Sequence, residues 1–306
     1  MTEATFLFPG QGSQFVGMGA SLAKTFPEAA RTFEEANEAL GFDLAHVAFQ
    51  GPDAELVKTK HAQPAILTHS VAVLRVLGAR GVVPRAAAGH SLGEYSAYVA
   101  AGSLSLADAV RLVRRRGELM FEAGLARPGT MAAILGLDAP VVTELCREVT
   151  VGIVAPANFN SPGQVVVSGD PPAVDAFMVL AIARGAKRTV PLNVSGAFHS
   201  PLMANAAAGL KRALAEVTIH PAGLPVIANA TAASVTEPEA IRDSLFRQLG
   251  APVRWEESMR VLLQSPGPPF LEVGPGKVLR GLLRSIDRDA QCDTAGDPAE
   301  IEELLP

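Results

Sequence analysis

The chain has little of several things that mark particular protein classes. Only two of its 306 residues are cysteines, Cys146 and Cys292. Their number and spacing make neither a disulfide framework nor a metal knuckle, so free thiols in a reducing compartment are expected. Aromatic residues make up 5%, with one tryptophan and two tyrosines. A core this poor in rings must be built from Ala, Val, Leu and Ile, as helices packed on a buried sheet would be. No uninterrupted apolar run reaches the ~18 residues of a membrane-crossing helix. Basic charge is short too: 26 Lys and Arg against 31 Asp and Glu leave a formal net charge of −5, which argues against a nucleic-acid partner. Met1-Thr2-Glu3-Ala4 leads straight into a strand-like run with no basic stretch before an apolar one, so no secretory leader is expected and the cytoplasm is the expected compartment. What is present is ample for burial, since 48% hydrophobic and 19% charged residues suit one large domain or two.

The pattern along the chain starts as strand and helix in alternation. Thr5 to Phe8 predicts a buried strand ending at Pro9, followed by the loop Gly10-Gln11-Gly12-Ser13-Gln14 and helices over 17–24 and 27–39, with Pro27 suited to a first helical turn. A helix over 64–77, a strand over 86–88 and a helix from the capping sequence Ser105-Leu106-Ala107-Asp108 to about Glu122 follow. Such alternation implies a parallel sheet. From Thr130 the style changes. Strand 130–137, helix 140–149, strand 152–157, the turn Asn160-Ser161-Pro162-Gly163, strand 164–168, helix 173–184 and strand 187–191 make βαββαβ, the split pattern of ferredoxin-like domains. Residues 127–193 are therefore expected to be a small domain inserted into a larger one, because the earlier style resumes with a helix after His199, strands near 226–228 and 270–273, and a final helix.

Gly89-His90-Ser91-Leu92-Gly93 sits between the strand over 86–88 and a helical run from Glu94 to Ala101. A serine on a strand-turn-helix corner with flanking glycines is a candidate nucleophile elbow. Its hydroxyl needs a general base. Of the six histidines, His90 adjoins the serine and should diverge from it, and the order of hydrolase-type sites leaves His199 and His220. His199, in Ser195-Gly196-Ala197-Phe198-His199-Ser200-Pro201 at the edge of the insert, is favoured over His220, which reads as a surface residue. No acid between serine and histidine stands out as a third member, because Asp108, Asp138, Asp170 and Asp175 all fall in helices or in the insert. A backbone carbonyl could orient the imidazole instead. The helix beginning at Ser105 carries Ala109, Leu112, Val113, Leu119 and Met120 on one face, and Arg116 falls inside that stripe while Arg111, Arg114, Arg115 and Glu118 lie opposite. An inward arginine needs a partner. An internal one such as Glu94 and a substrate carboxylate held in a bidentate clamp both remain open on this pattern.

Phe8-Pro9-Gly10-Gln11-Gly12-Ser13-Gln14, Gly89-His90-Ser91-Leu92-Gly93-Glu94, Arg116-Gly117, Asn158-Phe159-Asn160-Ser161-Pro162-Gly163-Gln164, Gly196-Ala197-Phe198-His199, Arg247-Gln248-Leu249 and Val273-Gly274-Pro275-Gly276-Lys277 occur together and in this order. With that conjunction the chain closely resembles malonyl-CoA:acyl carrier protein transacylases, from about residue 5 to 285. Only the tail after about Arg288 carries no signature. The resemblance implies an α/β-hydrolase-like large domain with a parallel sheet, residues 1–126 and 194–306, and a ferredoxin-like insert, residues 127–193. It implies that Ser91 is acylated, that His199 is the base, and that the backbone carbonyl of Gln248 orients the histidine. Backbone N–H groups of Gln11 and Leu92 are implied to hold the oxyanion and Arg116 the malonyl carboxylate. Phe198 matches the pattern of malonyl-selective enzymes, where bulk disfavours a 2-methyl branch. Gln63 and Asn160 match positions near the acyl pocket, and each could equally be a structural amide.

The implied activity is transfer of malonyl from malonyl-CoA to the phosphopantetheine thiol of acyl carrier protein in a ping-pong cycle. No metal and no cofactor are implied, coenzyme A entering as the substrate thioester, and a monomer is expected. An acidic carrier protein needs local basic surface on a chain of net charge −5. Lys187 with Arg188, and Arg280, Arg284 and Arg288 at helical spacing, are the candidates, plain solvated arginines being the bland alternative. Gly274 to Lys277 lacks the spacing of a phosphate loop and is expected only to turn a strand into the final helix. Rival readings are a serine esterase or thioesterase, a non-catalytic carrier-binding module, and a stand-alone acyltransferase serving a polyketide synthase or malonate decarboxylase.

Overall fold

The computed structural model describes residues 1–194 and 196–305, so Ser195 of the expected histidine loop and Pro306 lie outside the described residues. Its nine strands, numbered in chain order, are β1 (Glu3–Phe8), β2 (Val83–Gly89), β3 (Thr130–Leu135), β4 (Val154–Ser161), β5 (Gln164–Gly169), β6 (Arg188–Pro191), β7 (Val226–Ile227), β8 (Phe270–Val273) and β9 (Cys292–Ala295). They form two sheets. One is five-stranded in the order β7-β2-β1-β8-β9, with every pairing parallel. The other is four-stranded in the order β4-β5-β3-β6, with every pairing antiparallel.

Both faces of the parallel sheet are covered, and the run of small apolar residues near the end of β2, Ala86 to Ala88, fits that. Phe6 and Phe8 of β1 and Ala87 of β2 enter one core, while Leu7, Ala86 and Ala88 between them enter another. The two-residue period of a strand sends successive side chains to opposite faces, so a strand buried on both sides has no polar position to show. Helices Thr59–Gly78, Gly93–Ala100 and Leu106–Ala126 supply the first core. Helices Trp255–Gln264 and Val278–Ile286 supply the second, around the single tryptophan.

The helix Thr59–Gly78 begins five residues before Pro64, where the sequence pattern starts it. Pro64 lacks an N–H and leaves the carbonyl of Lys60 without its helical donor, and the Arg114 guanidinium donates to that carbonyl at 3.1 Å. The same pair of helices crosses closely at Gly117, where a Cβ would stand 2.8 Å from the Thr59 oxygen and the Lys60 Cα. Ser105 caps its helix as expected, its hydroxyl accepting the Asp108 N–H at 3.0 Å.

In the antiparallel sheet Ala132 and Ile134 of β3 and Val165 and Val167 of β5 pack under helices Ala139–Glu148 and Pro171–Ala183. Met131 and Val166 face the other way and join the core of the large sheet. The order and alternation are those of the ferredoxin-like βαββαβ unit. The edge strand β4 is also tied to the larger body, Phe159 N–H donating to Val253 O at 2.9 Å and Val253 N–H to Ala157 O at 2.8 Å.

Several sequence expectations change in detail. β4 runs on through Asn160 and Ser161, so the expected four-residue turn shrinks to Pro162 and Gly163, because those two side chains are buried strand positions beside Gln164 of β5. The last of the arginines placed at helical spacing, Arg288, lies beyond the helix Val278–Ile286. The tail after Arg288, which carries none of the family's motifs, completes the fold: β9 extends the parallel sheet, and the helix Pro298–Leu304 brings the Leu304 carbonyl within 2.9 Å of the Met1 amino group. No helix among the described residues is long and apolar enough to cross a membrane.

Candidate active site

A cavity of about 300 Å³ opens beyond the C-terminal ends of β1 and β2, walled on the far side by residues of the antiparallel sheet. That end of a parallel sheet is where loops converge and ligands bind. Gln11, Gly12, Ser91 and Leu92 reach it from the strand ends, Gln63, Arg116 and Met120 from the two crossing helices, and Phe198 and His199 from the loop after β6. Met131, Asn158, Leu192 and Val194 close the opposite wall.

Ser91 has φ 52°, one of three positive values at non-glycine residues among the described residues, and His199 with φ 56° is another. Left-handed backbone at a side-chain-bearing residue costs on the order of 1–3 kcal/mol and persists where surroundings enforce it. At Ser91 the enforcement is steric and polar. A Cβ on Gly89 would fall 1.8 Å from the carbonyl carbon of Gly93, and one on Gly93 2.0 Å from Phe8 O, so only glycines allow strand, turn and helix to pack this closely. At His199 the neighbouring Ser200 holds the turn, its hydroxyl donating to Ala197 O at 2.7 Å and accepting the Leu202 N–H at 3.2 Å.

The two strained residues meet. Ser91 Oγ lies 2.7 Å from His199 Nε2. His199 Nδ1 lies 2.9 Å from the backbone carbonyl of Gln248 and 3.2 Å from that of Ala251. A carbonyl can only accept, so Nδ1 carries the proton and Nε2 is left as the acceptor facing the serine. Burial, helped by the positive charge of Arg116, pushes the His199 pKa down to about 3, which keeps the imidazole neutral.

Arg116 is 1% exposed. It donates to Gln63 Oε1 at 2.8 Å, to Gln248 Oε1 at 3.0 Å and to Ser91 Oγ at 3.2 Å, and its guanidinium lies 5.7 Å from the centre of the Tyr95 ring. None of these partners is a carboxylate. Glu94, the internal candidate, is fully buried but one amide away: Gln248 Nε2 donates to Glu94 Oε2 at 2.9 Å and to Ser91 O at 2.8 Å. Burial raises Glu94 to about 6. Ser244 Oγ at 3.3 Å and the Asn229 N–H at 2.9 Å complete its partners.

The remaining candidates divide. Gln11 and Leu92 line the cavity, and the backbone N–H of each has no acceptor among the described residues. Gln63 lies in the site between Arg116 and Met120, whose sulfur its Nε2 meets at 3.3 Å, and Phe198 lines the wall. Asn160 does not reach the cavity that holds Ser91. Its Oδ1 meets His90 Nε2 at 2.9 Å beside a neighbouring cavity, and the His90 ring packs on Trp255. His220 is exposed, away from the cavity. Asp170 is spent on Arg127 and the Ile153 N–H. Lys187, Arg188, Arg280, Arg284 and Arg288 are all exposed.

Sequence reasoning missed Asn229, whose side chain spans the elbow, and the side chain of Gln248, where only the backbone was singled out. A signal existed for the first. Asn229 follows a short apolar stretch read as a strand, and a polar residue just past the end of a parallel strand is a site position. Among the described residues no group of three or more His, Cys, Asp or Glu could hold a metal ion.

Comparison with known proteins gives one answer. The acyl transferase domain family matches residues 5–294. Malonyl CoA-acyl carrier protein transacylases of Bacillus subtilis and Escherichia coli K12 are 48% and 46% identical, over 99% and 100% of this chain and 96% and 99% of theirs. A crystal structure of the corresponding enzyme from Xanthomonas oryzae superposes with a TM-score of 0.95 at 44% identity, covering 99% of this chain and 97% of that one. A malonyl-transacylase solved with its type II polyketide synthase acyl carrier protein also superposes at 0.95, with 43% identity over 100% of this chain and 99% of that one. The chain belongs to the acyl transferase family and, within it, to the malonyl-CoA:acyl carrier protein transacylases.

Proposed function

We propose that this enzyme moves a malonyl group from malonyl-CoA to the phosphopantetheine thiol of acyl carrier protein through a malonyl ester on Ser91. The observation that carries the reading is the meeting of Arg116 and His199 on one oxygen: Nη2 of a buried guanidinium with only neutral partners stands 3.2 Å from Ser91 Oγ, and His199 Nε2 stands 2.7 Å from it. A guanidinium so placed offers an acyl group's carboxylate two parallel N–H donors beside the nucleophile.

In the first half-reaction Ser91 Oγ attacks the thioester carbonyl while its proton passes to His199 Nε2. The Gln11 and Leu92 N–H groups take the oxyanion. The C–S bond then breaks and the imidazolium protonates the departing coenzyme A sulfur. In the second half the carrier thiol gives its proton to Nε2, its sulfur attacks the ester, and the proton returns to Ser91 Oγ. The Gln248 and Ala251 carbonyls hold the imidazole through both halves, in place of a carboxylate.

We further assign residues 1–126 and 194–306 to the large domain and 127–193 to an insert whose inner face shields the ester from water. The exposed Lys187 and Arg188, with Arg280, Arg284 and Arg288, are the surface assigned to the carrier protein, and charge reversal there should raise the KM for carrier protein alone. Phe198 is assigned to selection against a 2-methyl branch. With this reading goes a monomer in the cytoplasm, which size-exclusion chromatography and cell fractionation check.

Intact-mass measurement after mixing with malonyl-, methylmalonyl- and acetyl-CoA tests the central claim. A malonyl adduct that disappears in Ser91→Ala is expected; an adduct that survives the substitution would overturn it. A second reading, service to a polyketide synthase, is favoured by the likeness to the transacylase solved with such a carrier. Transfer rates to fatty-acid and polyketide carrier proteins separate the two.

A further inference from the structure

The elbow is held from outside as well as by its own glycines. Asn229 follows β7, the edge strand paired with β2, and is 1% exposed. Its Oδ1 accepts the Ser91 N–H at 2.7 Å, and its Nδ2 donates to Gly89 O at 2.7 Å. One planar amide thus spans the turn, gripping the strand end and the nucleophile's backbone together. The Asn229 backbone N–H donates to Glu94 Oε2 at 2.9 Å, and the same oxygen takes Gln248 Nε2, which also holds Ser91 O. Both backbone polar groups of Ser91 are therefore bonded to side chains of residues anchored on Glu94, Gln248 through that same side chain and Asn229 through its backbone N–H.

We propose that Asn229 is a positioning residue for the acylation step: it locks Ser91 in its left-handed conformation and removes the Ser91 N–H from the site, leaving the next N–H along the chain to face the oxyanion. The physical argument is geometric. A backbone N–H two bonds from the nucleophilic side chain could serve the oxyanion itself, as in some other serine enzymes. Here it points at the Asn229 oxygen, so only the Leu92 N–H at the start of the helix Gly93–Ala100 is free on that side of the turn. Without the amide, Ser91 keeps the bonds to its carbonyl but loses the restraint on its N–H, and Oγ can drift from the line that joins it to His199 Nε2 and the thioester carbon. Displacement of a reacting atom by about 1 Å costs on the order of 10²-fold in rate.

The inference rests on Ser91 being the acylated residue, and the test separates the two. Single-turnover malonylation is followed by rapid quench and intact mass, expressed per folded molecule from circular dichroism. Asn229→Ala is expected to acylate about 10²-fold more slowly, while its KM for malonyl-CoA stays within about twofold because Arg116 and the cavity wall are untouched. Asn229→Asp keeps the acceptor for the Ser91 N–H and the side chain's size, and is expected to lose about tenfold. Leu214→Ala, a core truncation outside this network, should lower Tm yet acylate at the parental rate per folded molecule. If both Asn229 variants acylate at the parental rate, the positioning role is overturned while the nucleophile stands. If Ser91→Ala still forms the adduct, the nucleophile assignment falls instead.

Discussion

The parallel and antiparallel sheets face each other across one cavity and are built to different rules. The parallel sheet and its helices bury Glu94, Arg116, His199 and Gln248 in a connected hydrogen-bonded set, with Ser91 and His199 both in left-handed backbone. The antiparallel sheet has an apolar core under two helices and gives the cavity Met131 and Asn158, with Leu192 and Val194 just beyond β6. Buried charge and strain are costly and survive where the surrounding structure over-determines them; a wall needs only shape. On the proposed reading the chemistry falls on the parallel-sheet side, together with Arg116 and Phe198 of the acyl pocket, while the antiparallel side adds only wall, so substitutions in that wall should spare the chemistry.

The largest effect should fall on the parallel-sheet side. His199→Ala removes the base, and kcat should drop by about 10⁴-fold or more, measured by transfer to carrier protein. Arg116→Ala should follow, since a charge-assisted bidentate contact is worth several kcal/mol. Discrimination between malonyl-CoA and acetyl-CoA in kcat/KM should fall by about 10²-fold, and an unchanged ratio would show that the clamp is not there. The antiparallel wall should be gentler. Met131→Ala should shift the malonyl to methylmalonyl ratio by about tenfold at most with kcat for malonyl nearly intact, and loss of kcat there would break the comparison. The smallest change expected is with pH. A base whose pKa is lowered stays in its neutral, proton-accepting form further into acid. With His199 held near 3 by burial and Arg116, kcat/KM should show no inflection at the ordinary histidine value, about 6.5, and a bend near 6 that disappears in Glu94→Gln belongs to that buried carboxyl, which burial raises to about 6.

Much of this was legible in the sequence, because strong local signals agreed with the fold. The glycines of the elbow, the period of the helix carrying Arg116 and the βαββαβ order each survive in the structure, and each rests on sterics or periodicity within a short window. The helix over Thr59–Gly78 was read too short because Pro64 is a local stop signal that Arg114, fifty residues away, overrides. Asn160 sits on β4 and spends its oxygen on His90, which no spacing announces. The partner of Arg116 could not be settled from the helix face alone. The pattern required something to meet the guanidinium, but Glu94 meets it only through the single amide of Gln248, from a helix more than a hundred residues downstream. Asn229 did carry a local signal, its place just past the end of a parallel strand, but the backbone groups it grips lie 138 and 140 residues away in sequence.

Gly117 has a bearing on how such a site can be redesigned. The helix that carries Arg116 can approach the backbone at Thr59 and Lys60 only because its next residue has no side chain, so the aim of the guanidinium and the spacing of the two helices are one geometric quantity. A change at either of Arg116 and Gly117 is therefore constrained by the other. An engineer who wants a different acyl group can exchange the arginine head while keeping the crossing, whereas even a methyl at the glycine would move Gln63, Arg116 and the nucleophile's hydrogen bond together.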